Sequence, residues 1–244
     1  MRNKLWVVVI NMNALFCFII LFCLSIGIFM LRESAIWINL SSSALISGKK
    51  IVIDPGHGGG DPGAKSPVGL LEKNINLDVA LRLKKHLSRV GVYCIMIRET
   101  DRDFFDAPYE SQLKKRRDLI HRTQMANQSG ADLFLSIHAN SFPQIIYRGA
   151  QTFFNPKNQS SRRLAQAVQH YLVKKLGPNN RRPKPGDFRV LNDIKMPGIT
   201  IEIGFLSNPE EARLLSESQY RERIAEAIYH GIIAYLSNRV PENH

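Results

Sequence analysis

A chain of 244 residues, 44% hydrophobic and 22% charged, is long enough for one sizeable domain, and a domain of ~200 residues buries roughly 70% of its unfolded surface without disulfide staples. Its three cysteines, Cys17, Cys23 and Cys94, have neither disulfide nor metal-site spacing, which excludes a disulfide framework and a thiolate-held structural metal. The formal net charge of +12 favours anionic partners, and the N-terminal segment decides which of these the chain meets.

From Leu5 to Leu31 no residue is charged, and about 20 apolar residues suffice to cross a bilayer as a helix. Arg2 and Lys4 precede the run, while Arg32 and Glu33 cancel after it, which places the N-terminus in the cytoplasm and the remainder outside. The apolar core is longer than the ~7 to 15 residues of a signal peptide, so an uncleaved anchor is favoured over a cleaved signal, with Asn11 and Asn13 weakening the span. Export argues against nucleic acid as a partner. The basic clusters "KKRR" (114–117) and "RRPK" (181–184) then read as a solvated face or as attraction to an anionic envelope. Residues 1–49 are cytoplasmic N-terminus, membrane segment and spacer; residues 50–240 form the exported domain.

Within that domain, apolar β-branched runs alternate with helical patterns. Strands are expected over Lys50–Asp54, Val92–Arg98, Leu133–His138, Ala150–Phe154 and Ile199–Ile203, and such continuous apolar runs suit a sheet covered on both faces. Ile75, Val79, Leu83 and Leu87 recur at helical spacing, with Asn74 as the expected cap. Further helices are expected over Leu113–Asn127, Ser161–Leu176 and Gln219–Leu236. In "SNPEEARLL" Asn208 caps a helix, Pro209 takes its first position and Glu211 completes a capping box. Alternation of this kind predicts an α/β fold, a single domain with a mostly parallel twisted sheet flanked by helices.

Ligands in such sheets bind outside the carboxyl ends of strands. His57 follows the first strand in "IVIDPGHGGGDPGA" and His138 ends the third, so both imidazoles fall at one edge, with Glu202 near the end of another strand. The glycine loop lacks Walker spacing. It is either a tight turn in which glycines supply positive φ, or a clearing beside His57 for a metal and a substrate. Glu72 alone suits a helix start; counted with His57 and His138 it completes the His₂Glu set that holds catalytic Zn²⁺ and leaves a position for water. Zinc hydrolysis needs a general base. Glu202, flanked by Ile201 and Ile203 in a buried strand, is costly there without a partner or a task. His86, His121, His170 and His230 sit in helical patterns and read as surface or core. Arg122 and Asn140 fall near the site as candidate substrate contacts, though helix packing and a turn explain them equally well.

"IVIDPGHGGGDPGA", "LLEKN", "RTQMANQSGADLFLSIHANS" and "ITIEIGFLSNPEEARLL" closely resemble the zinc-dependent N-acetylmuramoyl-L-alanine amidases of the amidase-3 family, from about residue 50 to 236. The resemblance implies a six-stranded α/β sheet, one Zn²⁺ held by His57, Glu72 and His138, and Glu202 as the catalytic glutamate. The implied reaction cuts the amide between the lactyl group of N-acetylmuramic acid and L-alanine in peptidoglycan. A short anchor joined to a bare catalytic domain is most similar to the germination-specific spore branch, which helps form muramic-δ-lactam in cortex. That likeness implies an extracytoplasmic location such as the intermembrane space of the developing spore, and an accessory sporulation protein as a candidate partner. The alternatives are a vegetative cell-wall amidase, a non-catalytic peptidoglycan-binding homologue, and a zinc peptidase cutting within the stem peptide.

Overall fold

The computed structural model describes residues 16–30, 46–105 and 111–239. The chain divides into two units, Met1–Ala44 and Leu45–His244. In the first, residues 16–30 are helical with their side chains exposed. Among the described residues no helix is long and apolar enough to cross a membrane; the rest of the expected span, residues 5–15 and Leu31, lies outside them.

The second unit is built on six strands, β1 (Lys50–Pro55), β2 (Tyr93–Met96), β3 (Leu133–Asn140), β4 (Gln151–Phe154), β5 (Lys184–Pro185) and β6 (Gly198–Phe205). Their order across the sheet is β2-β1-β3-β6-β4-β5. β1, β2, β3 and β6 run parallel, β4 runs antiparallel to β6, and β5 parallel to β4. Ile51, Val52 and Ile53, like Ile199, Ile201 and Ile203, are fully buried, as strands covered on both faces require. The helices are α1 (Glu72–Ser88), α2 (Gln112–Gln128), α3 (Gln159–Leu176), α4 (Arg189–Asp193), α5 (Pro209–Ser216) and α6 (Ser218–Leu236).

Strand alternation sorts the core into two layers. Ile51, Ile53, Leu135, Ile137 and Ile201 face Val79, Leu83, Val168, Ile224 and Ile228 of α1, α3 and α6. Val52 and Phe134 face Ala126 of α2 and Val190 and Leu191 of α4. The positions on the second face that are not apolar, Asp54, Ser136, Thr200 and Glu202, therefore gather toward the carboxyl ends of β1, β3 and β6 by the strand register.

The expected elements are present with small boundary shifts, and three details differ. α1 begins at Glu72 with Leu71 at its N-cap and no side-chain cap, so Asn74 sits inside the first turn rather than capping it. Asn208 does cap α5, accepting from the Glu211 amide, with Pro209 at the helix start. Glu211 does not reach back in a capping box; its carboxylate accepts from the Gly149 and Phe205 amides at 2.9 and 2.8 Å, pinning two loops to the helix start. The two-residue strand β5, which starts at the last residue of the basic "RRPK" run, and the one-turn helix α4 are additions to the expected set.

Candidate active site

His57, Glu72 and His138 converge from three elements. The chain leaves β1 through Gly56 into His57, whose φ of 61° is a left-handed conformation rare outside glycine. Glu72 opens α1 and is buried. His138 sits near the end of β3, directly across from Glu202 on β6. The Glu72 Oε1 oxygen lies 3.2 Å from His57 Nε2 and 3.0 Å from His138 Nδ1, and the two rings meet edge to face with centroids 5.0 Å apart. One donor atom from each residue falls within 4.8 Å of the others.

The glycines of the loop make room for the ligands themselves. A Cβ on Gly56 would stand 2.1 to 2.6 Å from the His138 ring; one on Gly63, where φ is +64°, would stand 2.6 Å from Glu72 Oε2 and 2.8 Å from His57 Cδ2. Side-chain atoms never approach that closely, so both positions exclude any larger residue. Asp61, not singled out by the sequence, accepts from His57 Nδ1 at 2.8 Å and so leaves Nε2 turned toward Glu72. A carboxylate four residues after the histidine was the available signal, hidden because the loop has no regular period.

Glu72 is satisfied from several sides: Oε2 accepts from the Ala64 amide at 2.8 Å, and Oε1 from the Ala139 amide and Asn76 Nδ2 at 3.1 and 3.2 Å. Burial works against its charge, but the hydrogen bonds from His138 and His57 outweigh it and hold the carboxyl far below the usual carboxylate range. Burial likewise disfavours the His57 imidazolium, yet Asp61 and Glu72 together push that ring up to about 9. Glu202 has the opposite environment. Its Oε2 is buried without a hydrogen-bond partner, and burial pushes its carboxyl up to about 7, a shift that the charges of His138 and His57 oppose and that of Glu72 aids.

Arg122 lies at the back of the site, 3% exposed. It donates to Asp54 at 2.5 Å, Asp118 at 2.6 Å and the backbone oxygens of Pro55 and His57 at 3.1 and 2.9 Å. Arg98, equally buried, donates to Pro55 O and Gly56 O, both at 3.0 Å; burial and the neighbouring Arg122 draw it down to about 10, still charged at neutral pH. Two buried guanidinium groups thus hold three consecutive carbonyls of the loop that presents His57. Asn140 accepts from the next residue's amide at 2.8 Å, a local turn.

His57, His138, Glu202, Asp54 and Arg122 line one cavity of about 340 Å³, with Lys114 and Phe188 among the residues of its wall. The "KKRR" run is therefore partly inside the site: Lys114 is buried and paired with Asp103 at 2.8 Å. A second histidine cluster, His86 with Glu222 and Glu226, joins α1 to α6; there Arg82 and Lys175 hold the carboxylates at 2.6 and 3.9 Å.

An α/β sheet that brings two imidazoles, a buried carboxylate and a second, unpartnered carboxylate together has the architecture of a hydrolytic site, with three side chains placed so that they could hold a metal ion. The chain belongs to the N-acetylmuramoyl-L-alanine amidase family of the amidase-3 type, whose model matches residues 51–234, and its activity is that of a peptidoglycan amidase. It is 40% identical over 200 residues to the germination-specific N-acetylmuramoyl-L-alanine amidase of Bacillus subtilis, covering 80% of this chain and 82% of that one. It is 35% identical over 192 residues to the amidase LytC of the same organism, 78% of this chain but 36% of that larger protein. Among solved structures, the CwlD amidase of Clostridioides difficile, in complex with the GerS lipoprotein, matches with a TM-score of 0.75 and 39% identity over 78% of this chain and 100% of that one.

Proposed function

We propose that this chain is a zinc amidase, held outside the cytoplasm by its N-terminal apolar segment, that strips stem peptides from glycan during formation of the spore cortex. The observation that carries the chemistry is the pairing of a convergent His57, Glu72 and His138 set with a buried, unpartnered Glu202 carboxylate. Two imidazole nitrogens and one carboxylate oxygen are the donors of catalytic zinc sites with an open position, and the three residues fit that ion. Bound zinc supplies a Lewis acid that polarises the scissile carbonyl and acidifies water.

The remaining steps belong to the chain's own side chains. Asp61 fixes the His57 ring so that Nε2 is the free donor, and such outer partners raise ligand basicity. Glu202 Oε2 accepts the proton of the attacking water and delivers it to the leaving alanine nitrogen. A carboxyl near pH 7 suits both halves of that transfer, because catalytic efficiency is greatest when the pKa lies near the working pH. The free Oε2 has no other hydrogen bond to give up.

The spore role rests on likeness to the germination-specific enzyme. The lipoprotein complex of the C. difficile relative supports an accessory partner for this chain too. The apolar run from Leu5 to Leu31 supports the tether. The test is mass spectrometry of peptidoglycan digests with the full-length chain, stripped of metal and then resupplied with zinc. Intact stem peptides beginning at L-alanine, released only with zinc, are expected. New ends within the peptide would make it a peptidase, and zinc-independent release would remove the metal from the mechanism.

A further inference from the structure

Asn76 stands four residues after Glu72 on α1 and is fully buried. Its Nδ2 donates to Glu72 Oε1 at 3.2 Å and to the Gly56 carbonyl at 3.3 Å, so one amide joins the carboxylate of the helix to the loop that leads into His57. Its Oδ1 is buried without a hydrogen-bond partner. Turning the amide over would set Oδ1 against two oxygen acceptors and relieve nothing. An unmet buried acceptor is destabilising, and leucine, with the same branched shape, is the better helix former. Stability alone does not select asparagine at this position.

Neither acceptor depends on Asn76 alone. The Gly56 carbonyl also accepts from Arg98 Nη2 at 3.0 Å. Glu72 Oε1 accepts from the Ala139 amide at 3.1 Å and meets His138 Nδ1 at 3.0 Å and His57 Nε2 at 3.2 Å. Metal binding changes that balance. A ring nitrogen that ligates a metal turns its lone pair to the ion and has no hydrogen to donate, so the two imidazoles cease to hold the carboxylate. The donors left to Glu72 are the Ala139 amide and Asn76 Nδ2 on Oε1, with the Ala64 amide on Oε2 at 2.8 Å. Of these three, only Asn76 also grips the backbone that presents His57.

We propose that Asn76 is a positioning residue for the metal ligands, its amide fixing Glu72 Oε1 against the His57 loop once both imidazoles face the ion. This deepens the zinc reading of the site and rests on it. The test compares the full-length chain with Asn76→Leu, which keeps the branched shape and loses both the donor and the unmet acceptor, and with Asn76→Ala, which also leaves empty space. Each protein is stripped of metal and melted without zinc, and its zinc affinity is then measured by competition with a chelator at a temperature where all of them are folded. His57→Ala/His138→Ala, with the three-ligand set broken, is the control.

Both Asn76 variants are expected to bind zinc about 10- to 100-fold more weakly than the parent, the range for outer partners of metal ligands. Without metal, Asn76→Leu should melt at or above the parent's temperature, and Asn76→Ala below it because of the cavity. A zinc loss shared by two variants that differ in metal-free stability is a result that a packing role does not produce. Zinc affinity equal to the parent's in Asn76→Leu would overturn the proposal. So would a loss confined to Asn76→Ala, which assigns the residue to packing. A parent that binds zinc no better than His57→Ala/His138→Ala would sink the zinc reading itself and this inference with it.

Discussion

Asp61 is the side chain whose role is most separable from the fold. It touches His57 Nδ1 and the Gly63 amide, at 2.8 and 3.1 Å, and it is partly exposed, so its removal leaves no buried cavity. Outer partners of metal-ligating histidines are worth about 10- to 100-fold in metal affinity. Asp61→Ala is therefore expected to weaken zinc binding by that factor in a chelator competition, with the melting temperature of the metal-free protein nearly unchanged. An unaltered zinc affinity would mean that Arg98 and Arg122 alone fix the loop. Sequence alone singled out His57, Glu72, His138 and Glu202 as candidates because those residue types stand at strand ends and near a helix start, and the four side chains do converge. It did not place Asp61, Arg98 or the true partners of Arg122, since their work is to hold backbone carbonyls of a loop, and nothing in a side chain's identity announces which carbonyl it will meet.

Helix packing sets the second scale. α6 crosses α3 so closely that a Cβ on Gly231 would stand 2.5 Å from the Val168 backbone, and backbone cannot move aside as a flexible side chain can. Gly231→Ala is expected to cost about 1 to 3 kcal/mol by overpacking, or a fall of roughly 2 to 4 °C per kcal/mol in thermal melts of a domain this size. No loss would show that the two helices separate freely.

α1 and α6 are tied at the surface by Asp78, which accepts from Arg82 at 2.9 Å and from Arg221. Burial raises the Asp78 pKa, but the two arginines outweigh it and hold it below 3.8. A depressed carboxyl contributes stability above its unfolded value and loses it as pH falls through the folded one. Asp78→Asn should thus lower stability by about 0.5 to 1 kcal/mol at pH 7, and the gap between variant and parent should close below pH 3.8. A gap that persisted in acid would assign the effect to packing instead. The long elements were legible because their apolar spacing repeats over several turns or strands. β5 and α4 are too short to show a period, and the antiparallel direction of β4 depends on a pairing with β6 that is distant in sequence.

For the whole molecule, one sheet edge holds both the charge that would bind metal and the carboxylate that would move a proton, and the hydrogen-bond donors around one and not the other make the two buried carboxylates opposite in character. Glu72 is surrounded by donors and stays ionised; Glu202 has none on Oε2 and is held near neutrality's edge. Because Glu202 must be ionised to accept a proton, kcat/KM should fall as pH drops, with an acid limb no higher than about 7. An acid limb well above that value would point to another group. The α/β fold class and the common edge of His57, His138 and Glu202 could be read from the sequence, since strand ends in parallel sheets converge. The N-terminal apolar run is only partly among the described residues.

Zinc content and peptidoglycan turnover, measured together in the full-length parent and in Glu202→Gln, separate the metal site from the proton-transfer group. Equal zinc, one ion per chain, is expected in both, with turnover at least ~100-fold lower in the variant, as loss of a general base requires. Turnover close to the parent's, with zinc still bound, would contradict this expectation and assign the proton transfer to another residue.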